Sequence, residues 1–252
     1  DRLLTVSTYP EADSKVRSTA YHEVGGGNAA NTASAMALLA NAAIFRNEHF
    51  RIKLLTKVGH DYIGQQLKDE LDECGMDTTL VRRGDDGSTT SFTTVIVSEG
   101  ENTRTCIHTP GTSGNFSVDD LESVNLDDLF MNVVHFHSDS RLSEVSLLLA
   151  KEAKKRNIPI SVDAEKDRQV EAFDNLLDVT DILFTNSTQL QDYLTRRTTK
   201  LEKEHNRRPL PNPVITVAGD DDTGIEETCA LSIAPSHFFR RWFEQNKKEV
   251  VI

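Results

Sequence analysis

The chain has 252 residues, of which 37% are hydrophobic and 27% charged, a composition typical of an ordinary globular protein. Its formal net charge of −12 argues against nucleic acid or an anionic membrane as the main partner, and no apolar run is long enough to predict a membrane span. The three cysteines, Cys74, Cys106 and Cys229, lack metal-ligand spacing and predict reduced thiols in the cytoplasm or an organelle interior.

Segments rich in Thr and Val, with alternating polarity, recur through the first 110 residues. They predict half-buried antiparallel strands of a small lid sheet, at 3–7, 15–24, 89–98 and 103–109. Between them, Arg51–Val58 predicts one buried strand. The amphipathic segment that follows predicts a helix from Tyr62 that stops at Gly75.

Apolar strands alternate with helices in the second half of the chain. The predicted strands are Asn132–His137, Ile158–Ala164, Asp181–Asn186 and Pro213–Gly219. The predicted helices are Ser143–Asn157, Val170–Leu177 and Ser187–Leu194. This alternation predicts a parallel sheet covered by helices on both faces, with the small sheet beside it.

The stretch HEVGGGNAANTA, from His22 to Ala33, carries three consecutive glycines before a helix of small residues. It fits the degenerate dinucleotide fingerprint G-x-G-x-x-A, but the preceding strand alternates and the next strand ends at Gly59 without an acidic residue. A P-loop is excluded because no Gly-Lys-Ser/Thr follows. Two interpretations stay open: a backbone that approaches a small polar ligand, or a tight turn that needs positive φ.

Tyr9–Arg17, followed by Gly25–Ala40, resembles the first signature of the ribokinase/PfkB family of carbohydrate kinases, most closely its ketohexokinase branch. Further segments that resemble the family are Thr56–Thr79, Thr103–Gly111, Ile160–Arg168 and Asp181–Leu194. The resemblance runs from Asp1 to about Val217. It implies a single ribokinase-like α/β domain over 1–252, a three-layer sandwich with a mostly parallel central sheet and a small β-sheet lid.

The resemblance also implies an ATP-dependent sugar kinase that uses Mg²⁺ and binds its sugar between lid and sheet. The sugar-binding positions that it implies are Asp1, Asp13, Gly26, Gly27, Asn28 and Asn31, with Arg104 in the lid hairpin. Taken alone, Asp13 could equally cap a turn and Asn31 could be a surface amide. Lid strands often pair between subunits in the family, so a homodimer is expected.

For the nucleotide and magnesium region, the resemblance implies Asn186, which matches an N-x-x-E element that acts on magnesium and phosphate through water. Gln189 stands where that element has its acid. By the same analogy, Asp163 and Glu165 lie at a strand end that faces the cleft. No direct metal ligand is predicted.

The family's second signature, D-T-x-G-A-G-D, is absent from the sequence, so no catalytic base is assigned. The nearest string, Val217–Gly224, has these residues in the wrong order, and residues 218–252 form a divergent tail with a possible helix at Ser236–Lys247. Two functions stay open. One is a sugar kinase whose chain is incomplete at both ends, and the other is a catalytically inactive PfkB-like sugar-binding or structural subunit.

Overall fold

The computed structural model describes residues 1–41, 51–166, 168, 170–186, 215–218, 228–232 and 249–251. They divide into two compact units: unit 1 holds the described residues up to Phe116, and unit 2 holds those from Ser117 onward. The helices predicted at Ser187–Leu194 and Ser236–Lys247 lie outside the described residues. Within the described ranges, no helix is long and apolar enough to cross a membrane.

Unit 1 combines a small sheet with two helices. Its elements are β1 (Arg2–Val6), β2 (Ala20–Glu23), α1 (Asn28–Asn41), β3 (Ile52–Lys53), β4 (Thr56–His60), α2 (Tyr62–Glu73), β5 (Val81–Asp86), β6 (Phe92–Ser98) and β7 (Thr103–Thr109). Four strands form the lid sheet in the order β2-β1-β6-β7. The outer pairs are antiparallel, but β1 and β6 are parallel. The prediction of an antiparallel lid is therefore wrong at its centre, because the chain crosses over through α1 and α2 between these two strands.

Two lid strands are shorter than the sequence predicts. The strand predicted at 15–24 is limited to β2, since the register of its pairing with β1 runs only from Ala20, opposite Thr5, to Glu23, opposite Arg2. The strand predicted at 89–98 begins only at Phe92, because the N–H groups of Thr89 and Thr90 donate to side chains instead of a neighbouring strand.

The strand predicted at Arg51–Val58 is two strands, β3 and β4. Between them, Leu54 is fully buried and its N–H donates to Asp77 O at 3.4 Å, as part of an isolated parallel bridge between Lys53 and Asp77. β4 then pairs in parallel with β5, a strand that the sequence did not predict. The stop of α2 is confirmed: Gly75 adopts φ 81°, a conformation that favours glycine.

Unit 2 is built around a mostly parallel sheet. Its elements are α3 (Val118–Glu122), α4 (Leu126–Phe130), β8 (Val133–Ser138), α5 (Ser143–Lys155), β9 (Ile160–Ala164), α6 (Glu171–Val179), β10 (Ile182–Thr185), β11 (Ile215–Ala218), β12 (Thr228–Ser232) and β13 (Glu249–Val251). Its strands follow the order β11-β12-β10-β9-β8-β13. β13, β8, β9 and β10 are parallel, whereas β12 is antiparallel to both its neighbours. The predicted strand–helix alternation is confirmed from β8 to β10.

The apolar core of unit 2 includes residues of β9 and α6. Ile160 and Val162 of β9 and Phe173 and Leu176 of α6 are completely buried. The opposite face of the sheet is polar at one place, where His135 Nε2 and His137 Nδ1 lie 2.7 and 2.8 Å from the hydroxyl of Ser161. Burial lowers the pKa of both histidines, and the pKa of His135 falls to about 4.

Candidate functional site

The glycine turn between β2 and α1 brings the predicted sugar-binding residues together. Gly27 has φ 94°, a left-handed conformation that a residue with a Cβ rarely adopts. Its carbonyl accepts a 2.8 Å hydrogen bond from Asn31 N, so α1 begins directly at the turn. The positive φ of Gly27 confirms the interpretation of the glycine run as a tight turn, whereas the approach of a small polar ligand stays a prediction.

Asp1 is joined to this turn by its backbone and its side chain. Asp1 N donates to Val24 O at 2.8 Å, and Val24 N donates to Asp1 O at 3.1 Å. A Cβ built on Gly26 would lie 2.7 Å from Asp1 Oδ1 and closer still to Oδ2. Gly26 therefore lacks a side chain because the Asp1 carboxylate occupies that space.

The two asparagines occupy the first turn of α1. Asn28 is the first residue of the helix and Asn31 lies three positions later. The helix itself is anchored by Ala33 and Ala37, which are buried, while Asn31 is exposed. The turn thus has the Asp1 carboxylate against Gly26 and two asparagines in the helical turn that follows, residue types that offer both hydrogen-bond acceptors and donors.

The other two predicted sugar-binding residues lie away from the glycine turn. Asp13 occupies an exposed turn with φ 59° in the segment between β1 and β2, before the glycine turn in the chain. Arg104 lies on β7 opposite Val97, and every residue of that strand is exposed. Their predicted roles stay predictions.

Unit 2 carries the predicted nucleotide region at the carboxyl ends of three adjacent parallel strands. Asp163 lies near the end of β9, Glu165 follows that strand and Asn186 follows β10. Asn186 Nδ2 donates to Glu165 O at 3.1 Å, and Ser140 Oγ donates to Asp163 O at 2.9 Å. The ends of β8, β9 and β10 are therefore linked by side-chain hydrogen bonds to backbone carbonyls.

Asp139, directly after β8, is a member of this group that sequence reasoning missed. The pKa of Asp163 is raised by burial first, and then by the negative charges of Glu165 and Asp139. Three carboxylates therefore lie near one another at this edge. The signal that could have identified Asp139 is its position: it follows a buried strand, as Glu165 follows the next one.

The carboxylates suit a hard cation such as Mg²⁺ in donor type, since Mg²⁺ prefers oxygen ligands and retains several waters. Among the described residues, however, no group of three or more His, Cys, Asp and Glu side chains is arranged to hold a metal ion directly. The fit is therefore to a hydrated ion near the carboxylates.

Known proteins are similar to this chain in sequence and in fold. A family model described as pfkB family carbohydrate kinase matches residues 3–221. The ATP-dependent ribose-1-phosphate kinase of Halopiger xanaduensis is 26% identical over 194 residues, which cover 75% of this chain and 59% of that kinase.

Two solved structures show the same fold. The ribokinase of Thermotoga maritima has a TM-score of 0.59 at 15% identity, with 79% of this chain and 60% of that one covered. The Arabidopsis thaliana ribokinase complexed with ribose and ATP has a TM-score of 0.58 at 20% identity, with 80% and 65% covered. This chain thus spans less than two thirds of the length of each of the three proteins. Because the family match covers most of the sequence, the chain belongs to the pfkB family of carbohydrate kinases and has a ribokinase-like α/β fold.

Proposed function

We propose that this chain belongs to an ATP-dependent kinase that transfers the γ-phosphate to a hydroxyl of a small sugar, of the ketohexose, ribose or nucleoside kind. The observation that carries the proposal is the Asp1 carboxylate lying against Gly26, beside Gly27, Asn28 and Asn31. Adjacent sugar hydroxyls need acceptors and donors at fixed angles, and a carboxylate with two amides supplies both.

The proposed size of the sugar is based on the substrates and ligands named for the similar proteins. One relative is named for ribose 1-phosphate and one structure contains ribose and ATP, which supports a furanose-sized substrate. The resemblance to the ketohexokinase branch stays a prediction. Asp13 and Arg104 are proposed as further contacts to sugar or phosphate, because both are exposed and polar.

ATP and Mg²⁺ are the proposed cofactors, with Asp163, Glu165 and Asn186 as the nearby residues. Bound Mg²⁺ would neutralise phosphate charge during transfer. Asp163, Glu165 and Asp139 would attract the hydrated ion, and its charge would offset the repulsion from Glu165 and Asp139 that, after burial, raises the pKa of Asp163. The residue that takes the proton from the sugar hydroxyl is not assigned in this chain.

The absent D-T-x-G-A-G-D segment favours a second candidate function, a catalytically inactive PfkB-like protein that binds sugar or serves as a structural subunit. ATP consumption in the presence of D-fructose, D-ribose or adenosine separates the two. Turnover supports the kinase, whereas sugar binding without ATP consumption supports the inactive binder.

Calorimetric titration of D-fructose, D-ribose and adenosine tests the sugar site itself. Asp1→Asn and Gly26→Ala should each weaken sugar binding by about tenfold or more, since hydrogen bonds to a charged group are strong. Gly25→Ala is the matched control, because its Cβ would lie an ordinary 3.5 Å from Glu70 Oε2. The site assignment fails if Asp1→Asn and Gly26→Ala bind sugar like the control.

A homodimer through lid strands is also proposed. β2 and β7 are the edge strands of the lid sheet, and unpaired edges readily pair with another chain. Ile107 on β7 is 51% exposed and would lie in such an interface. Sedimentation analysis of Ile107→Lys should give monomers where the parent gives dimers.

A further inference from the structure

The lid hairpin, formed by β6 and β7, stands on two short segments, residues 88–91 and 110–113, here called the hairpin root. The two segments are bound to each other: Thr89 N donates to Thr112 Oγ1 at 2.9 Å, and Thr112 N donates to Thr89 Oγ1 at 3.1 Å. Ser113 N also donates to Thr89 O at 3.2 Å. The root is therefore one hydrogen-bonded unit.

Asp61 connects this root to helix α2. As the residue before the helix, it accepts a hydrogen bond from Gly64 N at 2.8 Å on Oδ1. The same carboxylate accepts from Thr90 Oγ1 at 2.6 Å and, on Oδ2, from Thr90 N at 2.8 Å. Thr90 Oγ1 accepts in turn from Gly59 N at 2.9 Å. One side chain thus caps a helix and holds the base of the lid hairpin.

The backbones around Asp61 are too close for side chains. A Cβ on Gly64 would lie 2.9 Å from Thr90 Oγ1 and closer to Gly59 O. A Cβ on Gly59 would lie 2.9 Å from Ser88 O and closer to Thr90 N. This explains the spacing Gly59-x-Asp61-x-x-Gly64: the two glycines admit the root, and the carboxylate binds it.

The negative charge on Asp61 strengthens the hydrogen bonds that join the hairpin root to α2. Burial raises its pKa, but the hydrogen bonds from Thr90 and from Gly64 N outweigh burial and lower the pKa below its ordinary value. Asp61 is therefore ionised at neutral pH, and its hydrogen bonds are charge-assisted. Thr90 is buried, so water competes little for these bonds.

The pairing of β6 with β1 connects the hairpin root to the proposed sugar site. β6 starts two residues after Thr90 and pairs in parallel with β1, with Arg2 opposite Thr94. Asp1 directly precedes β1, and its carboxylate lies against Gly26. We propose that Asp61 is a positioning residue of the sugar site, which holds the hairpin root on α2 and thereby the Asp1 carboxylate. The sugar part of this assignment rests on the proposed function.

Asp61→Asn tests the proposal, since an asparagine of the same shape cannot accept on both oxygens. Whichever way the amide is turned, its NH₂ group faces a backbone N–H, of Thr90 or of Gly64. Amide hydrogen exchange in β6 and β1 should accelerate about tenfold or more, with exchange in α5 unchanged. The dissociation constants for D-fructose and D-ribose should rise together with this local change.

Asp69→Asn is the matched control, since Asp69 lies on the exposed side of α2, where its carboxylate accepts a hydrogen bond from Gln65 Nε2 at 2.7 Å. A second pair of variants guards against misfolding of Asp61→Asn. Thr90→Ser keeps the hydroxyl and should retain the hydrogen exchange and the sugar affinity of the parent. Thr90→Val removes the hydroxyl and should show the same faster exchange and weaker sugar binding as Asp61→Asn.

Three results would overturn the proposal in distinguishable ways. Exchange in β6 and β1 that matches Asp69→Asn would show that Asp61 does not hold the root. Faster exchange with unchanged sugar affinity would show that the root does not position the site. If the parent chain binds none of D-fructose, D-ribose and adenosine, the proposed function is refuted and the sugar part of this assignment with it, while hydrogen exchange still decides the role of Asp61 at the root.

Discussion

The lid sheet of unit 1 and the central sheet of unit 2 are stabilised in different ways. In β7 every residue is exposed, whereas β8 and β9 each have only one residue that is not buried. Apolar burial therefore stabilises the unit 2 strands, at about 25 cal/mol for each Å² of apolar surface removed from water. The lid strands lack this contribution on much of their surface.

Directional hydrogen bonds hold the lid sheet at both ends of its hairpin. Asp61 binds the root through Thr90, and at the tip Gly100 N donates to Ser7 O at 2.9 Å. Glu101 accepts from Tyr9 N at 3.1 Å and also from the Ser98 hydroxyl. The difference teaches that a sheet with little core can still place its residues accurately when polar contacts fix its ends.

The largest effect expected from this comparison is in the core of unit 2. Phe173→Ala removes a completely buried ring, so we expect the free energy of unfolding to fall by about 3–5 kcal/mol. Urea denaturation measures the change. Leu148→Ala on α5, whose side chain is 45% exposed, is the control and should cost far less. Equal losses for the two variants would contradict a burial-based account of unit 2.

The histidines of β8, His135 and His137, make the stability of unit 2 sensitive to acid. The pKa of His135 is about 4 in the folded chain against 6.5 ordinarily, so the unfolded state binds the proton first as pH falls. Stability from this group is complete above pH 6.5 and decreases towards pH 4, by about 3 kcal/mol. His135→Gln should flatten this slope in denaturation at several pH values. The exposed His22→Gln is the control, and an equally steep slope in His135→Gln would exclude the mechanism.

Gly64→Ala asks how strongly the contacts at the hairpin root constrain unit 1. Helix propensity favours alanine by up to about 1 kcal/mol. The added Cβ would press against Gly59 O and Thr90 Oγ1, so we expect a net loss of about 1–3 kcal/mol in thermal unfolding. Gln66→Ala, at an exposed position of α2, should change little. If Gly64→Ala is more stable than the parent, the hairpin root shifts to accommodate the added Cβ at little energetic cost.

The smallest effect expected is a gain in stability. Burial, then Glu165 and Asp139, raise the pKa of Asp163, so its charged form destabilises the folded chain above that pKa. Asp163→Asn should raise the melting temperature at pH 7, and the gain should shrink as pH falls through the raised pKa of Asp163, because the parent side chain then becomes protonated and neutral. Asp69→Asn serves as the control. A lower melting temperature for Asp163→Asn would mean that the carboxylate has a stabilising partner.

Much of unit 2 could be predicted because its signals are local. Apolar runs such as Ile158–Ala164 and the periodic helix at Ser143–Asn157 lie within about two residues of β9 and α5. In unit 1 the sequence predicts one strand between Arg51 and Val58, whereas the structure has two, since β3 is bridged to Asp77, which is distant in sequence. The β1–β6 pairing was missed for the same reason, since parallel pairing joins residues distant in sequence.

The sequence by itself determined the family, the alternation of strands and helices, and the glycine turn with its neighbouring asparagines, because each depends on residue types at short spacings. Only the tertiary structure decided why Gly26 must be glycine, which carboxylate accompanies Asp163, and what Asp61 holds. These depend on which distant backbones and side chains meet within hydrogen-bonding distance. The local secondary-structure propensity of the sequence does not encode these long-range contacts, which are determined by the packing of the folded chain.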